Sequence, residues 1–166
     1  MRLTIQRGYL PGCIGRITEL HARFYAEHAS FGCEFEAKVA RELAQFCANY
    51  AADRDGLWLL LRDGHIEGSL AIDGAERPLG AHLRWFITSP TVQGRGEGTK
   101  LLDAALEFCR LQQYPAVYLW TFEGLHAARH LYEKFGFCLI HQQRGTQWGT
   151  EVTEQRFELM AESPRT

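Results

Sequence analysis

Gln93-Gly94-Arg95-Gly96-Glu97-Gly98-Thr99-Lys100 stands between an apolar run that ends near Thr88 and a stretch whose apolar residues recur at helical spacing. A strand, a glycine turn and a helix start, in that order, form a cradle for an anion. Gly94, Gly96 and Gly98 tolerate positive φ and let a ligand approach the backbone, so several N–H groups can converge where the helix dipole is also positive. A pyrophosphate is the expected ligand.

Two familiar glycine motifs do not fit. A P-loop needs four residues between its first glycine and a Gly-Lys-Ser/Thr, whereas here Thr99 precedes Lys100. A dinucleotide fingerprint needs G-x-G-x-x-G after a first strand, with an acidic residue about 20 positions further on. Gly94-x-Gly96-x-Gly98 is one residue short of it. Downstream, Leu125 to Phe137 reads LHAARHLYEKFGF. Ala127, Ala128, Leu131, Tyr132 and Phe135 recur at helical spacing, and Gly136 stands where a helix would end in the left-handed conformation.

The pattern Gln93-x-x-Gly96-x-Gly98 resembles the coenzyme A motif, Q/R-x-x-G-x-G/A, of the GNAT superfamily of N-acetyltransferases. Ala128 to Phe137 resembles the last helix of those enzymes, commonly A-x-x-L-Y-x-K-x-G-F. Two motifs in the right order and at the right separation are far more specific than either alone, and the resemblance runs over roughly residues 80 to 143. It implies a mixed α/β (α+β) fold: a central, mostly antiparallel sheet of six to seven strands, flanked by about four helices. Two central parallel strands, near Ala81 to Thr88 and Ala116 to Trp120, should splay apart to admit a thioester. The stretch His21 to Val39 further resembles acetyltransferase domains fused to MarR-type regulators, without the winged helix-turn-helix of those fusions.

A chain of 166 residues is the size of one domain, expected over 1–162 with 163–166 as a loose tail. Lys plus Arg number 18 against 20 Asp plus Glu, so the net charge of −2 gives no general attraction for nucleic acid or anionic membrane. Cys13, Cys33, Cys47, Cys109 and Cys138 are odd in number and widely spaced, and read as reduced, buried small hydrophobes. No C-x-x-C pair suggests zinc, the seven histidines are scattered along the chain, and no metal is expected. No run is apolar for the 18 or so residues of a membrane span, and no signal peptide is evident, so a cytoplasmic location is expected. Self-association as a homodimer is compatible with all of this.

The remaining elements follow from periodicity. Leu3 to Gln6 alternates as a short strand; Ile14 to Phe31 and Glu36 to Tyr50 carry helical stripes around a break at Ser30 to Cys33. Leu57 to Leu61 and Ile66 to Ile72 flank the turn signal Asp63-Gly64, as in a hairpin. Cys138 to His141 and Gln155 to Leu159 supply two closing strands.

Acetyl transfer to an amine needs a neutral amine, a polarised thioester carbonyl, an orienting pocket and a proton for the departing thiolate. The resemblance implies acetyl-coenzyme A as cosubstrate. Its pyrophosphate would lie on Gln93, Gly94, Arg95, Gly96, Glu97, Gly98 and Thr99, and its thioester beside backbone N–H groups at a bulge near Phe86, Ile87 and Thr88. Leu125 and Ala128 would border it on the second helix. Tyr132 occupies the position that in many members protonates the sulfur. Two candidates stand for the general base: His82, eleven positions before Gln93, and Glu27, at the end of the first helix, where the family builds its acceptor pocket. Glu97 adds a negative charge where most members carry an apolar residue, with Arg95 able to offset it, and Leu125 replaces a common asparagine. Phe24, Tyr25, Phe31 and Trp120 suit a partly apolar amine, so the expected partner is a small-molecule amine, with neither nucleic acid nor membrane. A protein lysine or N-terminal acetyltransferase, or an acyl-coenzyme A sensor, are the alternatives.

Overall fold

A computed structural model describes residues 2–162, so the expected tail at 163–166 lies outside the described residues. In chain order the elements are β1 (Leu3–Arg7), α1 (Cys13–Ala29), α2 (Cys33–Ala48), β2 (Gly56–Arg62), β3 (His65–Asp73), β4 (Ala81–Thr88), α3 (Glu97–Leu111), β5 (Ala116–Phe122), α4 (His126–Lys134), β6 (Cys138–Gly145) and β7 (Val152–Met160). A short 3-10 turn, Arg77–Leu79, precedes β4. The strands form one sheet of seven in the order β1-β2-β3-β4-β5-β7-β6. Every neighbouring pair is antiparallel except β4 and β5, which are parallel.

Alternation along the strands sends side chains to two cores, one on each face of the sheet. On β2, Leu57, Leu59 and Leu61 join Ile17 of α1 and Leu43 of α2. Trp58 and Leu60 point the other way, to Leu101, Leu102 and Phe108 of α3 and Tyr132 of α4. Asp63 and Gly64 both take positive φ, at 50° and 86°, as the tight turn between β2 and β3 requires.

Three local expectations need correction. Helix α2 begins at Cys33 rather than Glu36, because Gly32 ends the loop and Glu34 and Glu36 then sit in the first turn, where the helix dipole favours carboxylates. Strands β6 and β7 are longer than their apolar residues indicated. They pair as far as Gly145 with Val152, and β6 is exposed through Arg144, so backbone pairing rather than apolar alternation sets their length. The cysteines are not uniformly buried: Cys13 and Cys109 are, but Cys33 and Cys138 are exposed. All five are free thiols, and apolar neighbours in sequence do not report which face of an element a residue occupies.

The feature that positions the site lies on β4. Its register against β3 runs Ser69 to Ile87 and then Ala71 to Arg84, so Trp85 and Phe86 together oppose Leu70. This is a β-bulge, and Trp85 adopts φ 48°, uncommon for a bulky residue. The Ser69 hydroxyl donates to the Trp85 carbonyl at 2.6 Å, and the indole packs on Phe46, with ring centroids 5.4 Å apart. On its other edge β4 pairs with β5 only at Ala81 with Val117 and His82 with Tyr118. Past His82 the two strands part.

Replacing Ser69 by alanine should leave the buried Trp85 carbonyl without this donor. A loss of about 1–3 kcal/mol in unfolding free energy is expected, measured by urea denaturation with an unchanged m-value. Undiminished stability would show that the bulge does not depend on this bond.

Candidate functional site

The glycine turn follows β4 directly. The Gln93 side-chain amide donates to the Thr88 carbonyl at 3.0 Å, stitching the turn to the strand end. Gly94 and Gly96 have φ 79° and 76°, and a Cβ at either would meet nothing within 4 Å. Here glycine is needed for backbone conformation and for access, not for close packing. Gly96 is the N-cap of α3 without a side-chain cap, and the first helical bond runs from the Lys100 N–H to the Gly96 carbonyl at 3.2 Å. The amides at the start of α3 therefore lack intrahelical partners and have the geometry that receives a phosphate. The cradle fits a pyrophosphate on this ground.

Glu97 is buried, 6% exposed, and its carboxylate is paired with Lys100 Nζ at 3.0 Å. Lys100, not Arg95, is the cation that offsets it. Arg95 is exposed and outside the cavity wall. Next along α3, Gly98 faces Phe86 and Leu131, whose atoms lie 3.5 and 3.7 Å from where its Cβ would stand. The start of α3, the end of β4 and α4 meet at this point.

A cavity of about 1000 Å³ runs from this turn through the gap between β4 and β5 to the α1–α2 side of the sheet. Phe86, Ile87, Thr88, Gln93, Gly94, Gly96, Glu97, Gly98, Thr99, Leu125, Ala128, Tyr132 and His82 all border it, whereas Glu27 and Arg95 do not. Tyr132, 7% exposed, is held among Phe86, Phe137 and Phe157, with centroids 5.8–6.2 Å away. Burial pushes its hydroxyl well above the usual phenol range, and Tyr25 pushes it further in the same direction. The phenol keeps its proton at any ordinary pH.

The two base candidates fare differently. Glu27 is exposed and does not border the cavity, whose wall on α1 is formed by Phe24, Tyr25 and His28. His82 is not a solvated strand histidine: its ring stacks on Tyr118 at 4.6 Å and 17°. Burial, with the nearby Arg84 and Arg156 cations, lowers its pKa from 6.5 to about 3. It is neutral, and a weak proton acceptor.

A second histidine escaped the sequence reading. His21 is 5% exposed and borders the cavity. Its Nδ1 lies 2.8 Å from the Ile17 carbonyl, which can only accept, so Nδ1 carries the proton and Nε2 the lone pair. Burial lowers its pKa from 6.5 to about 4. The signal was available: Ile17, His21, Tyr25 and His28 step along one face of α1 at helical spacing. Trp148, which also borders the cavity from the β6–β7 connection, gave none, since it stands in a polar loop without period.

His21 and His82 have folded-state pKa values below their unfolded ones, so protons bind the unfolded chain more tightly. Their contribution to stability is present above about pH 6.5 and is lost as pH falls toward 4 for His21 and 3 for His82. Unfolding free energy measured from pH 7 to pH 4 should fall, and His82→Phe should flatten part of that slope. An unchanged slope would place the titrating groups elsewhere.

Sequence and structure comparisons agree with this geometry. No curated protein matches the sequence, but residues 16–137 match the model of the acetyltransferase (GNAT) family. Among solved structures, yncA from Salmonella typhimurium, a candidate acetyltransferase with its cofactor acetyl-CoA, is similar at a TM-score of 0.77 and 18% identity, over 100% of this chain and 98% of that one. An acetyltransferase from Streptococcus agalactiae gives 0.76 and 18%, over 96% and 98%. A ribosomal-protein-alanine N-acetyltransferase from Brucella melitensis gives 0.76 and 14%, over 95% and 99%. Those likenesses concern the fold, whereas the family model spans well over half of the sequence; the chain belongs to the GNAT acetyltransferase family.

Proposed function

We propose that this protein transfers the acetyl group of acetyl-CoA to the primary amine of a small molecule, by direct attack within a ternary complex. The observation that carries this reading is the single cavity joining a phosphate-type glycine turn to an aromatic wall through the gap between β4 and β5. One mouth suits a pyrophosphate and the other a compact amine, with the unpaired edge of β4 between them. In this reading the amides from Gly94 to Thr99 hold the pyrophosphate. Backbone groups of Phe86, Ile87 and Thr88 line the thioester arm.

The reaction forms a nitrogen–carbon bond and breaks the carbon–sulfur bond, with one proton leaving the amine and one reaching the thiolate. Tyr132 supplies the latter proton. A phenol that retains its proton by burial gives it up only when anionic charge develops beside it, so its hydroxyl acts in the transition state more than in the ground state. Nε2 of His21 is the acceptor for the amine's proton, a weak base like His82 because burial lowers its pKa to about 4, but one oriented by the bond of Nδ1 to Ile17 and uncharged at neutral pH. The acetyl-CoA of yncA, whose fold this chain shares, is consistent with the donor assigned.

Gly96→Asp should abolish coenzyme A binding in calorimetry, because a carboxylate would stand in the anion cradle, while the fold persists because aspartate tolerates this conformation better than most residues. Unaltered affinity in the folded variant would remove the cradle from the site. Tyr132→Phe keeps the ring packing and should lower kcat by about 10²–10⁴-fold, the usual contribution of a positioned proton donor, with the dissociation constant for coenzyme A nearly unchanged. Equal turnover would reduce Tyr132 to a packing residue.

A further inference from the structure

We infer that the acceptor amine carries an aryl group and no carboxylate, an arylalkylamine, an assignment that rests on the acetyl-transfer reading and narrows it. Four separate segments bring rings to the acceptor end of the cavity: Tyr25 from α1, Phe31 from the α1–α2 loop, Phe122 from the end of β5 and Trp148 from the β6–β7 connection. Phe31 is the hub, with centroids 5.8 Å from Tyr25, 5.2 Å from Phe122 and 6.4 Å from Trp148. The Tyr25 and Trp148 planes lie within 19° and 23° of the Phe31 plane, a layered arrangement that accepts a further flat ring in offset contact. Tyr25 and Trp148 keep part of their surface open, so the layer is a wall of the cavity and not only a filled core.

Charge at the same end argues against a carboxylate. Lys38 and Arg84 are the lysine and arginine side chains that border the cavity. Arg84 is held by Glu42 at 3.1 Å and Asp73 at 3.3 Å, with its guanidinium 4.2 Å over the Trp85 ring. Lys38 faces the same Glu42 at 3.9 Å. Both cations are therefore compensated. Glu123, beside Phe122 on the wall, has no ion-pair partner among the described residues. The balance at this mouth is negative, which draws an ammonium group inward and opposes an acid on the same molecule. An α-amino acid of equal aromatic bulk would bring a carboxylate to a place where the described residues offer no free cation to receive it.

The test is acceptor-dependent thiol release at saturating acetyl-CoA with 2-phenylethylamine, tyramine, phenylalanine and hexylamine, on the full chain. The arylalkylamines should exceed hexylamine in kcat/KM by about 2–10-fold, the worth of one aromatic contact, and phenylalanine by about 100-fold, for an unpaired carboxylate in a partly buried site. Trp148→Leu should raise KM for 2-phenylethylamine several-fold with KM for acetyl-CoA unchanged. Phe122→Leu, a change that keeps apolar bulk, gives the same reading if the first variant does not fold. Hexylamine reacting as well as the arylalkylamines would overturn the aryl assignment, phenylalanine doing so would overturn the exclusion of a carboxylate, and either would leave acetyl transfer standing. Binding of acetyl-CoA without thiol release to any amine would overturn both.

Discussion

The parting of two parallel strands is the constraint on which the rest of this structure depends. Strands β4 and β5 lie side by side in the middle of a seven-stranded sheet, yet share only two residue pairs, the last being His82 with Tyr118. A sheet interior normally satisfies every backbone group through its neighbours, and a gap there is costly unless something else provides partners. Here the bulge at Trp85 and Phe86 turns β4 away, and the Ser69 hydroxyl and the packing of the Trp85 indole on Phe46 maintain a backbone conformation that bulky residues seldom adopt. One departure from regular geometry thus opens a passage through the sheet. It connects two chemically unlike surfaces.

The end of β4 is held from the other side by a buried carboxylate. Glu67 on β3 accepts from the hydroxyls of Ser89 and Thr91, and Arg62 and Arg16 lie 3.4 and 3.5 Å away. Burial alone would raise its pKa, but these hydroxyls and guanidinium groups hold it below the usual carboxylate range. The segment between strand and glycine turn is therefore anchored to the neighbouring strand. Gln93 adds a second tie to Thr88. A turn that presents bare amides to an anion works only if those amides are already aimed, and these contacts supply the orientation.

Electrostatics within the cavity follow from burial more than from formal charge. His21 and His82 border it as neutral rings, Tyr132 retains its proton, and the buried Glu97 is matched by Lys100. A passage lined in this way carries little fixed charge of its own near its centre. Groups that acquire charge during acyl transfer would then meet neutral donors and acceptors in a low-dielectric setting, where each hydrogen bond counts for more than in water.

Sequence by itself determined what is local. Glycines at 94, 96 and 98, the helix His126–Lys134 with Gly136 beyond its end, the hairpin at Asp63-Gly64 and the alternation along β4 are set by backbone preference and by the period of apolar residues. Those signals sufficed for the family, the fold class and the glycine turn that precedes α3. Tertiary structure decided what depends on faces and neighbours at a distance. Whether Cys33 or Cys138 is buried, that Lys100 rather than Arg95 answers Glu97, that Glu27 lies outside the cavity wall, and that Trp148 from an aperiodic loop joins Phe31 and Phe122 could not be read along the chain. Each is a matter of side-chain direction and of contacts between residues far apart in sequence, which periodicity constrains only to a face. The basicity of His82 belongs with them, because desolvation and the Arg84 and Arg156 charges act through space.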